Sequence, residues 1–259
     1  MLGKSLHSLY RYIQREEYGG WDLFDGLNSR IFRGFAFYQS ELLRLAWIQL
    51  FKRSPINFRR IALVPKSYNS KGLWLFASGL ISLGKFDEAK RLLDRLEGMI
   101  CSGYSGVSWG YNFDWQARAF YVPVGKPNMV TTVFAANAFL DYLNADSSNY
   151  INEEIRREYY KIIEGVCEFI LYELVVFEDG DRLCFGYIPG EEARVHNANM
   201  IGAALLGRVH SIDNNKELLD KSRKAMRFSI DALKNGINRD RSRLFSDSSL
   251  SLSFFRSVH

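Results

Sequence analysis

The sequence predicts an all-α fold assembled from helical hairpins. Three observations predict it. Apolar residues recur at helical spacing in seven segments while strand-like alternation is scarce. Gly, Pro and Asp-Gly breakers fall between those segments. Three of the helices open in the same way, with an Asn followed by a run of small and large apolar residues.

Taken in order, Leu6–Ile13 makes a short N-terminal helix, and Phe35–Phe51 makes the next. Gly72–Leu83 and Phe86–Leu96 follow, separated by Gly84-Lys85, which stops one helix and frees the chain to start another. Val130–Leu143 begins after the Pro127-Asn128 turn. The long segment Ile155–Val176 ends before Asp179-Gly180-Asp181, and Asn199–Val209 and Leu218–Leu233 complete the series. Leu183–Ile188 is the best candidate for a short strand. The count reaches at most eight helices, or four hairpins.

The repeat emerges when NSKGLWLFASGLISL from Asn69, NMVTTVFAANAFLDY from Asn128 and NANMIGAALLGRVHS from Asn197 are aligned. The starts lie 59 and 69 residues apart, which suits two helices plus loops per unit. Each Asn is placed to cap a helix, since its side-chain oxygen can accept from an otherwise unpaired N–H of the first turn. The small residues Ala77, Ser78, Gly79, Ala135, Ala136, Gly202, Ala203 and Ala204 then permit close helix–helix approach. GYNFDWQAR and GYIPGEEAR precede the second and third Asn, repeating Gly110-Tyr111 with Arg118 as Gly186-Tyr187 with Arg194. Helical hairpins carrying long polar-aromatic loops at one end form a toroid or a solenoid, with the site on the rim.

Composition limits the function classes. A hydrophobic fraction of 47% with 24% charged residues belongs to an ordinary globular chain. Its charge of +5 is dispersed, and no nucleic-acid motif accompanies it, so no nucleic-acid partner is expected. Cys101, Cys167 and Cys184 lie far apart without CxxC spacing, which predicts thiols in a reducing compartment and no zinc site. With no signal-peptide core and no 18-residue apolar window, no membrane span is expected and the protein reads as cytoplasmic. GxSxG, GxxxxGK[ST], HExxH and GxGxxG are missing, so no cofactor or metal is expected. Aromatic content is high at 15%, as in carbohydrate and isoprenoid sites.

WDLFDGLNSR, LAWIQLFKRSPINFRRIALVPK, SWGYNFDWQARAFYVPVGKPNMVTT and GYIPGEEARVHNAN resemble the motifs of an uncharacterised prokaryotic α/α-toroid family. That family is similar to six-hairpin glycosidases and to terpenoid cyclase/prenyltransferase toroids, and is often met beside genes for surface-polysaccharide synthesis. The resemblance covers roughly residues 21 to 238. It implies an α/α toroid over 1–240 with a carbohydrate context. The end departs from the pattern: where family members continue with a Gly-Ser-Trp-type turn and another hairpin, residues 241–259 read RSRLFSDSSLSLSFFRSVH. A closed ring needs six hairpins, so the expectation is an incomplete toroid whose tail is truncated or read out of frame.

The site is expected on the two repeated loops. Sugar chemistry needs aromatic faces, a fork for an anionic group and a carboxyl for proton transfer. Trp109, Tyr111, Trp115 and Tyr187 supply the faces, Arg118 and Arg194 the forks, and Asn128 and Asn197 amides at helix starts. Asp114, Glu191 and His196 are the candidate catalytic groups, Asp114 with Glu191 or Glu192 as a carboxylate pair and His196 as a neutral base beside a helix start. Asp22 and Asp25 form a second candidate pair, although Asp-Gly there is equally a turn signal. The leading expectation is a protein that acts on or binds a saccharide, as a glycoside hydrolase, lyase or epimerase-like enzyme, with an oligosaccharide, polysaccharide or sugar precursor as partner. The alternatives are a non-catalytic helical-repeat scaffold that binds other polysaccharide-biosynthesis proteins, and a terpenoid-cyclase- or prenyltransferase-like enzyme, the latter without the Asp-rich motif that chemistry uses.

Overall fold

A computed structural model describes residues 2–117, 120–145 and 151–234. The chain is mostly helical. Helices α1 (Leu2–Arg15), α2 (Arg30–Arg33) and α3 (Glu41–Arg53) lead to three hairpins: α4 (Ser70–Ser82) with α5 (Phe86–Glu97), α6 (Met129–Ala145) with α7 (Glu153–Glu173), and α8 (His196–Asp213) with α9 (Lys216–Lys234). Single 3₁₀ turns cover Asp25–Asn28 and Ala36–Gln39. Within the hairpin region α4 packs on α6 and α6 on α8, while α5, α7 and α9 each lie against their own partner.

Local chemistry explains the elements. In α5 the stripe Ala89, Leu92, Leu93 and Leu96 is buried, with Asp87 and Glu88 at the positive N-terminal end and Arg95 at the other. Asn69 caps α4 by accepting from the Lys71 N–H at 3.0 Å, and Asn128 serves α6 in the same way, accepting from Thr131 at 3.0 Å. Asn152 caps α7 by accepting from Ile155 at 2.8 Å. Helix α8 ends at Asn214, whose left-handed φ of 57° lets the chain turn back into α9. The central helix α6 is buried along most of its length, with Phe139 packed against Trp109 and Tyr159. Each such side chain, fully removed from water, contributes about 1.5–3 kcal/mol.

Four expectations are corrected. The helix expected over Ile155–Val176 ends at Glu173, because the following β-branched pair joins strand β3 (Val175–Asp179), which turns at Gly180 and pairs antiparallel with β4 (Arg182–Phe185). Helix α8 starts at His196 and not at Asn199, with Val195 in the cap position. Asn197 therefore lies inside the first turn, where its oxygen accepts from Ala198, and the third repeat is out of step with the other two. Among the described residues three hairpins are present where about four were expected: α3 packs mainly against the two 3₁₀ turns and against strand β1 (Trp115–Gln116). Strand β1 pairs with β2 (Tyr121–Val122). The tail 241–259 and Arg118 lie outside the described residues.

The repeated Gly-Tyr steps have a steric cause. Gly110 sits so close to the turn before Pro127 that a Cβ would lie 2.6 Å from the Gly125 carbonyl carbon and 2.7 Å from the Lys126 oxygen. Gly186 is pressed in the same way on the Val176 side chain, at 2.7 Å. Backbone atoms cannot yield as a methyl group can, so Gly110→Ala is expected to cost about 2–3 kcal/mol, read as a lowered urea midpoint, and to displace Tyr111. A midpoint equal to that of the native protein would contradict this account.

Candidate functional site

The segment after α1 returns toward the start of α4 through a bridge between Gly20 and Ser67. This closure places Asp22 beside Asn69 and opens a cleft of about 510 Å³ between the residues around Asp22, the first turns of α4 and the loop Tyr111–Trp115. Its walls are aromatic: Tyr12, Tyr18, Trp21, Phe24, Phe76, Tyr111, Phe113 and Trp115. The polar residues lining it are Asp22, Asn57, Arg59, Ser67, Asn69, Lys71 and Asn112.

Asp22 is held from both sides. One carboxylate oxygen accepts from the Phe24 N–H at 2.9 Å and the other from the Asn69 side-chain amide at 3.0 Å. Asn69 thus caps α4 with its oxygen and grips Asp22 with its nitrogen, tying the helix start to the site. Burial raises the pKa of Asp22, outweighing the Phe24 N–H, the charges of Lys71 and Arg59, and the Asn69 amide. Burial also lowers the pKa of Lys71, against the pull of the Asp22 charge. An acid and an amine that line one cleft are each shifted toward their neutral forms, which suits donors and acceptors of protons.

Behind Asp22 lies a buried ion pair. The Arg59 guanidinium donates to Asp25 at 2.7 Å and to the Asp22 carbonyl at 2.6 Å. Asp25 also accepts from the Asp22 N–H at 2.9 Å. Burial pushes the Asp25 pKa up to about 6 despite the Arg59 charge. The folded value exceeds the unfolded one of about 3.9, so between them the folded chain binds more protons than the unfolded chain. This group therefore adds stability as pH falls from about 6 to about 4 and withdraws it as pH rises through the folded pKa. An NMR titration of the Asp25 side-chain carboxyl is expected to show a midpoint near 6. A midpoint in the ordinary carboxylate range would contradict it.

Of the residues expected from sequence, Tyr111 and Trp115 line the cleft. Tyr187 stands behind them, its hydroxyl 2.7 Å from that of Tyr111 and its ring against Trp115. Trp109 faces the core, completely buried, with its indole N–H donating to the Leu96 carbonyl at 2.7 Å. Asn128 is also fully buried and acts as a helix cap. Asp114 is buried outside the cleft lining, accepting from Val124 N–H at 2.7 Å and from the Tyr38 hydroxyl, with the Arg33 guanidinium paired to it. Burial pushes its carboxyl up, but the hydrogen bonds from Tyr38 and Val124 and the Arg33 charge prevail and hold its pKa below the usual value. Asp114 is thus an ionised anchor for this loop.

The second loop reaches this cleft only indirectly, through Tyr187 behind Tyr111 and Trp115, where one common site was expected. Glu191 accepts from the Ala193 N–H at 3.2 Å. Arg194 lies over Phe177, its guanidinium carbon 4.5 Å from the ring centroid. His196 places its Nδ1 3.0 Å from the Ser229 hydroxyl and stacks on Phe228 of α9. Asn197 bonds its neighbour's N–H, and none of these four lines the cleft. Of the Asp22–Asp25 pair noted in sequence, Asp22 lines the cleft and Asp25 lies beneath it, held by Arg59. Arg59 and Lys71 escaped sequence reading. The only local signal for Lys71 is that it stands in the first turn of a helix capped by Asn69.

No family model matches the chain, and no curated protein and no solved structure matches it either. No helix among the described residues is long and apolar enough to cross a membrane, and none of their His, Cys, Asp and Glu side chains form a group that could hold a metal ion. Cys101, Cys167 and Cys184 are free thiols.

Proposed function

We propose that the cleft binds a saccharide and that Asp22 and Lys71 carry a proton to and from it, as in an epimerase or lyase. One observation carries this reading: a carboxyl with a raised pKa and an amine with a lowered one face the same aromatic-walled cleft. Partly exposed rings such as Trp21 and Phe76 offer faces to the C–H surfaces of a sugar, with the buried Tyr111 and Trp115 backing the wall, and Asn57 and Asn69 offer amides to its hydroxyls. Asp22 is the one carboxyl among the described residues lining the cleft. Ordinary glycoside hydrolysis uses two. An acid paired with an amine fits abstraction of a proton by Lys71 and return of one by Asp22 better than it fits hydrolysis.

The wider setting follows the resemblance stated above: an arc of an α/α toroid, with α4, α6 and α8 as its inner helices, serving surface-polysaccharide metabolism in the cytoplasm. The three free thiols support a reducing compartment. The test is binding and turnover of uronate-containing oligosaccharides by the native protein and three variants. Trp115→Ala is expected to weaken binding about tenfold or more, because its ring backs the cleft wall. Asp22→Asn and Lys71→Met are expected to bind and to lose turnover by about a hundredfold or more. Unchanged turnover in Asp22→Asn would remove the proposed chemistry, and unchanged binding in Trp115→Ala would remove the cleft.

A further inference from the structure

Helix α1 leaves its apolar side largely uncovered. It meets the rest of the molecule through Tyr10, whose hydroxyl donates to Glu88 of α5 at 2.7 Å, and through Gln14, whose side-chain amide donates to the same carboxylate at 3.4 Å. Leu6, Leu9 and Tyr12 remain 48%, 54% and 52% exposed. Spaced three apart, they form one oblique stripe along the helix, with the partly buried Ile13 beside it. Lys4, Arg11 and Arg15, seven and four apart, gather on the other side, and Leu2–Arg15 contains no acidic residue. The first acids come directly afterwards, where Glu16 is taken up by Lys66, with Arg15 3.7 Å away. The apolar stripe continues across the mouth of the cleft, since Tyr12 also lines it together with the exposed Leu23 and Leu75.

We infer that α1 and this rim dock on an anionic lipid surface, with the apolar stripe entering the headgroup boundary and the basic side chains meeting lipid phosphates. Two arguments choose this occupant. The charge is complementary: three cations with no acid among them on a helix whose opposite side is apolar is the pattern of a helix lying in a membrane interface. The area is too small for a protein partner, because Leu6, Leu9 and Tyr12 together with the rim residues Leu23 and Leu75 bury a few hundred Å² at most, well under the roughly 1,200 Å² of a specific protein interface. A lipid surface needs less, since shallow insertion of a few apolar groups adds to the attraction of each cation. Docked in this way, the cleft mouth faces the headgroups. The inference is independent of the reaction assigned to the cleft.

The experiment is flotation of the full chain with vesicles of phosphatidylcholine alone and of phosphatidylcholine mixed with phosphatidylglycerol. The native protein is expected to float with the anionic vesicles only, and to be released by high salt. Lys4→Gln/Arg11→Gln/Arg15→Gln is expected to lower partitioning on the order of a hundredfold. Leu6→Glu/Leu9→Glu is expected to abolish it while leaving helical circular dichroism and the melting temperature unchanged, because neither side chain is buried. Native protein that stays in the aqueous fraction with both vesicles overturns the inference. So does a Leu6→Glu/Leu9→Glu variant that floats as well as the native chain. A native dimer in light scattering that the same double variant dissolves, without vesicle binding, would instead make this stripe a contact between two copies, and the inference fails.

Discussion

Arg59→Ala is expected to destabilise the protein by about 3–5 kcal/mol, the cost of leaving a buried charge without its partner. Arg59 and Asp25 are 7% and 2% exposed, so water cannot take over from the lost guanidinium. The substitution removes three interactions together: the ion pair to Asp25 at 2.7 Å, the bond to the Asp22 carbonyl at 2.6 Å, and the cation lying over the Phe51 ring at 5.4 Å. In a chain of this length the melting temperature should fall on the order of 10 °C. Asp25, stripped of its cation, should titrate at a higher pH than in the native protein. Because the Asp22 backbone loses an anchor, ligand binding in the cleft should weaken as well. Ile61→Ala is the control: this side chain is 71% exposed in the same segment, and its loss should change stability by no more than about 0.5 kcal/mol. Equal stability of the two variants would show that the ion pair does not hold this segment.

Trp109→Ala is expected to cost about 3–5 kcal/mol, as for other large-to-small substitutions in a core. The indole is fully buried against Phe139, and its N–H satisfies the Leu96 carbonyl at the end of α5. Trp109→Phe keeps an aromatic ring in place and removes one of the donors to that carbonyl, which still accepts from the Met99 N–H at 3.0 Å, and should cost about 1 kcal/mol. Chemical denaturation of both variants checks the order. Trp115→Ala, six residues along, also opens the core at a side chain only 6% exposed, but should in addition weaken ligand binding, since that ring lines the cleft. If Trp109→Ala kept native stability and lost ligand, the division between core and cleft residues drawn here would be reversed.

That division shows where sequence reasoning succeeded and where it did not. SWGYNFDWQAR presents two Trp, two aromatic partners and a carboxylate in one short run, and nothing in the run says which side chains turn inward. Trp109 and Trp115 are separated by the close approach of Gly110 to the backbone of Gly125 and Lys126, a contact made by a part of the chain fifteen residues away. Asp114 carries the right chemistry for catalysis, but Arg33 and Tyr38 arrive from the segment before α3 and engage it. Asp22 looked equally like a turn residue, and it does make a turn, accepting from Phe24 N–H two residues on. Its place in the cleft depends on Asn69.

The sequence by itself determined the positions of most helices and the capping roles of Asn69 and Asn128, because periodicity and capping act within a few residues of backbone. It also determined the recurrence of Gly-Tyr before α6 and α8, whose two tyrosine hydroxyls meet 2.7 Å apart. Tertiary structure alone decided that β3 takes the end of the expected long helix, that His196 turns to Ser229 and Phe228 on α9, and that Asp22 shares a cleft with Lys71. Each of these outcomes depends on partners distant in the chain. Burial then sets the protonation of Asp22 and Lys71, and burial belongs to the packed molecule rather than to any local stretch of residues.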